Sequence, residues 1–147
     1  METSELANGE VRLSLLRDSE AEPEREWLRA LLYDIVLEES GQSVGQIDLR
    51  LGYTTHVVKY GGHIGYGVNE DWRGHGFAAS ACRLVSTVAR EHGMDVIWIT
   101  CDPENWASRK TCEAVGADLV EIVDLPEGCD LYERGGRQVC RYRWVLY

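Results

Sequence analysis

The chain has 147 residues, of which 44% are hydrophobic and 27% charged, and we expect one globular domain over residues 1–147. The formal net charge of −10, without a basic stripe, argues against a nucleic-acid partner. It suits a cationic small substrate such as an amine, or simply favours solubility. No apolar run approaches the ~20 residues that span a bilayer, and the acidic N-terminus is unlike a signal peptide. We therefore expect no membrane contact and a cytoplasmic location.

The cysteines are odd in number and contain no Cys-x-x-Cys pair, which is typical of reduced thiols. We expect most of the five to be small core residues. A zinc site made from Cys129, Cys140 and a histidine is the less favoured alternative, and we predict no bound metal.

The first half of the chain reads mainly as strands. Residues 11–17 alternate over their first half and predict a strand. The acidic segment 18–26, which contains Pro23, could be a loop or a short helix, and the segment from Trp27 has mixed periodicity. Residues 33–38 and 44–51 flank a turn that contains glycine and predict a β-hairpin. With the next strand they predict an antiparallel meander.

The middle of the chain joins a strand to a helix through a glycine-bearing turn. Residues 64–68 predict the strand, and a stripe of apolar residues predicts a helix over 75–92 that stops at Gly93. The turn between them contains Gly74 and Gly76, which let a ligand approach the backbone closely. Because unpaired N–H groups and the positive end of the dipole meet at a helix start, this turn predicts a phosphate site.

The second half predicts a strand at 95–101, a helix from the Asp102–Asn105 start signal to Gly116, a strand at 117–125, a long turn at 126–136 and a strand at 137–147. This order indicates an α/β fold with a mixed, largely antiparallel sheet of about seven strands flanked by helices. Asn105, Ser108 and Cys112 would lie within about 60° of one another on one helix face.

These motifs together resemble a known family. The run Val68-x-x-x-x-Arg73-Gly-His-Gly-Phe-Ala78, then Asn105-x-x-Ser108 and a helix that ends at Gly116, resembles the GNAT superfamily of acyl-CoA-dependent N-acetyltransferases over residues 44–125. The runs Gly62-His-Ile-Gly-Tyr66 and Ile99-Thr-Cys-Asp-Pro-Glu-Asn105 are similar to those of a group of bacterial predicted acetyltransferases. The resemblance implies a three-layer GNAT-like fold and transfer of an acetyl group from acetyl-CoA to a primary amine of a small molecule or peptide. The reaction it implies is direct attack in a ternary complex.

The resemblance also implies roles for particular residues. The strand edge at 64–68 would pair with the pantetheine arm of CoA, and the turn would hold its pyrophosphate. The residues it implies for cofactor binding are Gly67, Val68, Arg73, Gly74, His75, Gly76, Phe77, Ala78, Asn105 and Ser108. A backbone N–H near Val68 would stabilise the oxyanion.

The catalytic acid departs from the family pattern. Many relatives have a tyrosine one turn before the closing glycine, where this chain has Cys112. The catalytic candidates are therefore Cys112 and Asn105, with three tyrosines as possible substitutes for the acid: Tyr66, Tyr132 and Tyr142. The candidates for the base are Asp48, His63 and Glu70.

Three questions stay open at this point. A GNAT-like fold that only senses acyl-CoA, or binds a partner, is the alternative to an enzyme. The acceptor pocket is expected from the N-terminal segment and from loops 52–60 and 126–136. The aromatic C-terminal strand, with Tyr142, Trp144 and Tyr147, could seat a homodimer or pack in the core.

Overall fold

The computed structural model describes residues 6–22 and 28–146. The described residues form seven strands. These are Val11–Ser19 (β1), Arg29–Leu37 (β2), Ser43–Leu51 (β3), Ile64–Val68 (β4), Val96–Cys101 (β5), Asp118–Asp124 (β6) and Gln138–Val145 (β7). The helices are Phe77–Glu91 (α1), Trp106–Val115 (α2) and Asp130–Glu133 (α3), with shorter helical turns at Val57–Gly61 and Glu70–Trp72.

The strands form two sheets, with the orders β1-β2-β3-β4 and β5-β7-β6, and the described ladders are antiparallel. The predicted hairpin, meander and flanking helices are confirmed. The choice between loop and helix at 18–26 is only partly settled. β1 extends to Ser19, whereas Pro23 and Trp27 lie outside the described residues.

Helix α1 packs its apolar stripe into the core. Ala81 and Val85 are fully buried and Val88 nearly so, in one cluster with residues of both sheets. The helix begins at Phe77, two residues later than predicted, because Gly76 takes a left-handed conformation with φ 77°. Its predicted end is confirmed, since Glu91 is its last residue and Gly93 has φ 82°.

Helix α2 has a cap at each end. The Asn105 side chain accepts a hydrogen bond from the Ser108 N–H at 3.1 Å, which satisfies a donor at the helix start. Gly116 closes the helix with φ 92°. Segment 126–136, predicted as a turn, instead contains the one-turn helix α3, which its polar and glycine-rich sequence did not indicate.

β4 and β5 are neighbours in space but belong to different sheets, so a gap opens between them. They are joined near Ile64, where the His63 N–H donates to the Trp98 carbonyl at 2.7 Å and the Trp98 N–H donates to His63 Nδ1 at 2.9 Å. Gly62 permits this approach, because a Cβ atom there would lie 3.0 Å from the Thr100 nitrogen. Beyond this junction the strands diverge.

The aromatic C-terminal strand is accounted for by core packing. Tyr142 is 1% exposed and Trp144 8% exposed, both within the main cluster. The alternative that they face a dimer partner is therefore not supported by their burial. Tyr147 lies outside the described residues.

Candidate active site

A cavity of about 390 Å³, called here the main cavity, lies where β4 and β5 diverge. One wall is made by β4, β5 and the start of α2, and includes Gly65, Tyr66, Cys101, Asn105 and Ser108. β3, which pairs with β4, also lines the cavity, as do the segment around α3 and the start of β7, which pairs with β5. The two predicted polar residues of α2, Asn105 and Ser108, thus face the same cavity as β4.

The backbone of β4 presents alternate groups to the gap. On its β3 side, the Asn69 N–H donates to the Val44 carbonyl at 2.8 Å and the His63 carbonyl accepts from the Arg50 N–H at 2.8 Å. Because backbone groups alternate along an antiparallel strand, those of Ile64, Tyr66 and Val68 point away from β3, towards β5. This is a strand edge that an extended ligand with amide groups can pair with.

The turn after β4 has the geometry of an anion site. Gly74 and Gly76 have φ values of 87° and 77°, and a Cβ atom at either would meet no described atom within 4 Å. None of the described side chains caps the start of α1, and the first turn carries no acidic residue. Its N–H groups therefore face open space with the positive end of a 15-residue helix behind them.

Side chains fix this turn against the strand. Arg73 Nε donates to the Val68 carbonyl at 2.9 Å, and the His75 ring stacks on Phe77 with centroids 5.3 Å apart. Arg73 also lines a second, open cavity of about 650 Å³ with Gly67 and Val68. The predicted cofactor residues thus form a continuous band along β4 and into α1, with Ala78 inside the first turn of the helix.

Tyr66 is the tyrosine that reaches the main cavity. Its hydroxyl donates to Ser108 Oγ at 2.9 Å, and burial raises the pKa of the phenol, so the proton stays on it at neutral pH. The other two tyrosines are engaged elsewhere: the Tyr142 hydroxyl accepts from Arg109 Nε at 3.0 Å, and Arg137 lies 3.9 Å over the Tyr132 ring.

Cys112 lies in the core, 0% exposed, and is not among the residues lining the main cavity. Its thiol donates a hydrogen bond to Cys101, which, with burial, raises the pKa of Cys112. The same hydrogen bond lowers the pKa of Cys101, whose half-buried thiol does line the cavity. The role of Cys112 as an acid remains a prediction, and its burial favours a packing role.

The candidates for the base occupy different surroundings. His63 is fully buried, its Nε2 lies 2.8 Å from the Gly52 carbonyl and its Nδ1 accepts from Trp98, so both ring nitrogens are engaged. Burial lowers its pKa, which keeps it neutral. Glu70 lines the second cavity. Asp48 lies beside the main cavity, where its Oδ1 accepts from the Gly65 N–H at 3.0 Å.

Sequence reasoning missed several residues that line the cavity. From the loops expected to form the acceptor pocket, segment 126–136 contributes residues, whereas none of 52–60 lines the cavity. Two arginines of the lining, Arg50 and Arg134, lie 84 positions apart in the chain and no local motif joins them. Their shared cavity is visible only in the folded chain.

Among residues 6–22 and 28–146, no group of three or more histidine, cysteine, aspartate or glutamate side chains is arranged to hold a metal ion. In the same part of the chain, no helix is both long and apolar enough to cross a membrane.

Comparisons with known proteins agree with this architecture. A family model described as an acetyltransferase (GNAT) domain matches residues 6–118. No curated protein matches the sequence. Among solved structures, a ribosomal-protein-S5-alanine acetyltransferase from Vibrio fischeri superposes with a TM-score of 0.62 at 17% identity, covering 79% of this chain and 61% of that one.

Two other similar structures contain CoA ligands. The ribosomal L7/L12 α-N-protein acetyltransferase RimL in complex with coenzyme A has a TM-score of 0.61 and 18% identity, with 83% of this chain and 64% of that one covered. The microcin C7 self-immunity acetyltransferase MccE, in complex with acetyl-CoA and AMP, has a TM-score of 0.60 and 18% identity, with 79% and 61% covered. The chain spans less than two thirds of the length of all three relatives. At these identities the likeness shows the fold.

Proposed function

Since the chain belongs to the acetyltransferase (GNAT) family, we propose that it transfers an acetyl group from acetyl-CoA to a primary amine of a small molecule or peptide. The acetyl group would move by direct attack of the amine within a ternary complex. The observation that carries this proposal is the outward backbone edge of β4, which is followed, after the segment 69–76, by the uncapped start of α1.

The chain's own groups fit the parts of acetyl-CoA, which supplies the acetyl group as a thioester. The edge groups of Ile64, Tyr66 and Val68 would pair with the pantetheine amides, and the N–H groups from Gly74 to Ala78 would hold the pyrophosphate. Asn105 and Ser108 line the main cavity together with Gly65 and Tyr66 of β4. An edge N–H of β4 would also donate to the acyl oxygen, where negative charge develops.

We assign the proton transfers to Tyr66 on β4 and to Asp48 on the neighbouring strand β3. Tyr66 lines the cavity and holds a proton at its hydroxyl, and burial raises the pKa of the phenol, which keeps that proton available for a departing thiolate. Asp48, whose carboxylate accepts from the Gly65 N–H beside the main cavity, is the candidate base that would take a proton from the amine. The enzyme otherwise acts mainly by orienting the two substrates.

A two-step experiment tests the proposal. We expect acetyl-CoA to raise the melting temperature by several degrees, because a ligand at about 100 times its Kd stabilises a protein by about 2.7 kcal/mol. Each kcal/mol shifts Tm by roughly 2–8 °C for domains of ordinary size. Amines of several classes are then mixed with acetyl-CoA and scored for release of free thiol.

The two steps separate the competing functions. Thiol release that depends on an amine supports the transferase. A clear Tm shift with no thiol release from any class of amine would favour a non-catalytic acyl-CoA sensor. No Tm shift at millimolar acetyl-CoA in a folded sample would remove the cofactor assignment itself.

A further inference from the structure

Two arginine side chains line the main cavity. The charged lining consists of two guanidinium groups, Arg50 and Arg134, and one carboxylate, Asp102. Asp48 lies beside the cavity, 4.0 Å from Arg50. In a chain whose formal net charge is −10, a lining with more arginines than carboxylates is a local feature, which overall solubility does not explain.

Both arginines have donors available for a ligand. Arg134 is exposed, and among residues 6–22 and 28–146 its guanidinium makes no hydrogen bond or ion pair, while its backbone N–H donates to the Asp130 carbonyl at 3.0 Å. Arg50 donates through one nitrogen, Nη1, to the Gly62 carbonyl at 3.1 Å and lies 4.0 Å from an Asp48 oxygen. Each guanidinium has five N–H donors, so most of the donors of the pair remain for a ligand.

The single carboxylate of the lining lies at the end of β5. Asp102 directly follows this strand, next to Cys101 and near Asn105, which also line the cavity. One of its oxygens accepts from the Glu104 N–H at 2.8 Å. The lining therefore offers one acidic group and two basic groups around the same space.

We infer that the acceptor is a small amino acid, whose amine reacts at β4 and whose carboxylate is bound by Arg50 and Arg134, the two guanidinium groups that line the main cavity. This inference rests on the proposed function and adds the substrate class. The planar fork of a guanidinium matches a carboxylate in two parallel hydrogen bonds, which a neutral or cationic substituent cannot form. A cavity of about 390 Å³ fits a small molecule better than a folded partner.

Three amines of matched length test the inference: 4-aminobutyrate, butylamine and 1,4-diaminobutane. With acetyl-CoA saturating, we expect kcat/KM for 4-aminobutyrate to exceed that for butylamine roughly tenfold to hundredfold, the range for a charge-assisted hydrogen-bonded contact. The diamine should be the poorest substrate. The free-thiol assay reports all three reactions.

Substitutions connect the preference to the cavity. Arg134→Gln, at an exposed position, should bring 4-aminobutyrate close to butylamine, and Arg134→Glu should shift the preference towards the diamine. Arg50→Gln should act in the same direction, although it also removes the contact with Gly62. Arg12→Gln, at an exposed arginine on β1 outside the cavity, is the matched control and should keep the wild-type preference.

The outcomes separate this inference from the proposed function. Equal use of 4-aminobutyrate and butylamine by the wild type, or a preference unchanged in Arg134→Gln and Arg134→Glu, would overturn the acceptor class and leave the transferase intact. Exclusive use of peptide amines would also overturn it. Absence of any Tm shift with acetyl-CoA would instead contradict the proposed function.

Discussion

The two sides of the main cavity are built in different ways. The cofactor side is nearly contiguous in sequence. β4, the turn at Arg73–Gly76 and the start of α1 all lie within residues 64–78. The acceptor side combines Arg50 from β3 with Arg134 after α3 and with residues at the start of β7. A local motif can therefore encode the first side, whereas the second exists only once the two sheets have come together.

The largest expected effect comes from Tyr66, which lies where the cofactor side and the acceptor side of the main cavity meet. Tyr66→Phe removes the hydroxyl that donates to Ser108 and, in our proposal, holds the proton for the thiolate. We expect kcat to fall about 10²- to 10⁴-fold, the usual contribution of a general acid. The Kd for acetyl-CoA should change little, because the edge of β4 that would pair with acetyl-CoA consists of backbone groups, which the substitution leaves in place. Stopped-flow thiol release and titration of acetyl-CoA measure the two quantities.

Two further variants test whether the fall in kcat is specific to the Tyr66 hydroxyl. Tyr132→Phe changes a tyrosine that does not line the cavity and should keep the wild-type kcat. Cys112→Ala tests the residue that the family pattern indicates as the acid; we expect lower stability from the lost core packing and an unaffected kcat. A loss of turnover in Cys112→Ala but not in Tyr66→Phe would transfer the role of acid to the cysteine.

Cys112 shows where local reasoning about the site reaches its limit. The predicted face treated Asn105 as helical, but Asn105 is the N-cap, with φ −84° and ψ 80°, so its direction does not follow the helical repeat. Ser108 faces Tyr66, whereas one turn later Cys112 is inside the core. The spacing predicted that the helix exists; how deeply each turn enters the core depends on the sheets it packs against.

The second largest expected effect is a difference between the same substitution at the two ends of α1. Gly76→Ala and Gly93→Ala place the same methyl group at φ 77° and 82°, each with no described atom within 4 Å. Both should lose about 1–2 kcal/mol of stability from left-handed backbone strain. Only Gly76→Ala should weaken acetyl-CoA binding, by roughly tenfold or more, because its methyl group stands in front of the N–H groups that would hold the pyrophosphate.

Denaturant unfolding and acetyl-CoA titration of both variants separate strain from binding. Equal weakening of acetyl-CoA binding in the two variants would mean that the turn acts only through stability. Unchanged acetyl-CoA binding in Gly76→Ala would show that the pyrophosphate does not bind at the start of α1. The comparison uses one helix, one substitution and nearly one backbone conformation, so the position of the methyl group is the remaining difference.

The fold itself was predictable wherever a local signal fixes an element. The 64–68 strand has its predicted bounds, and the Asn105 cap and Gly116 stop delimit α2 as their sequence signals indicate. The short helix α3 was not predicted, because one turn of helix gives too few residues for a periodic pattern. Arg50 and Arg134 were not predicted as neighbours, because their approach depends on the pairing of whole sheets.

The smallest expected effect concerns the junction of the two sheets. His63 is fully buried with both ring nitrogens hydrogen-bonded, one of them to Trp98 on β5. Burial holds its pKa below the unfolded value of about 6.5. The unfolded chain therefore takes up the proton first, so the stability from neutral His63 is complete above pH ~6.5 and declines as the pH falls below it, by at most about 1.4 kcal/mol per pH unit.

Urea unfolding between pH 7.5 and 5 measures this slope, and the His63→Gln variant should show a shallower one at lower overall stability. His56→Gln, at an exposed histidine of the neighbouring segment, should keep the wild-type slope. An identical slope in wild type and His63→Gln would show that other groups set the acid limit of stability. A difference would establish that the contact which closes the gap between β4 and β5 requires a neutral imidazole, and that acidification loosens the junction from which both sides of the cavity diverge.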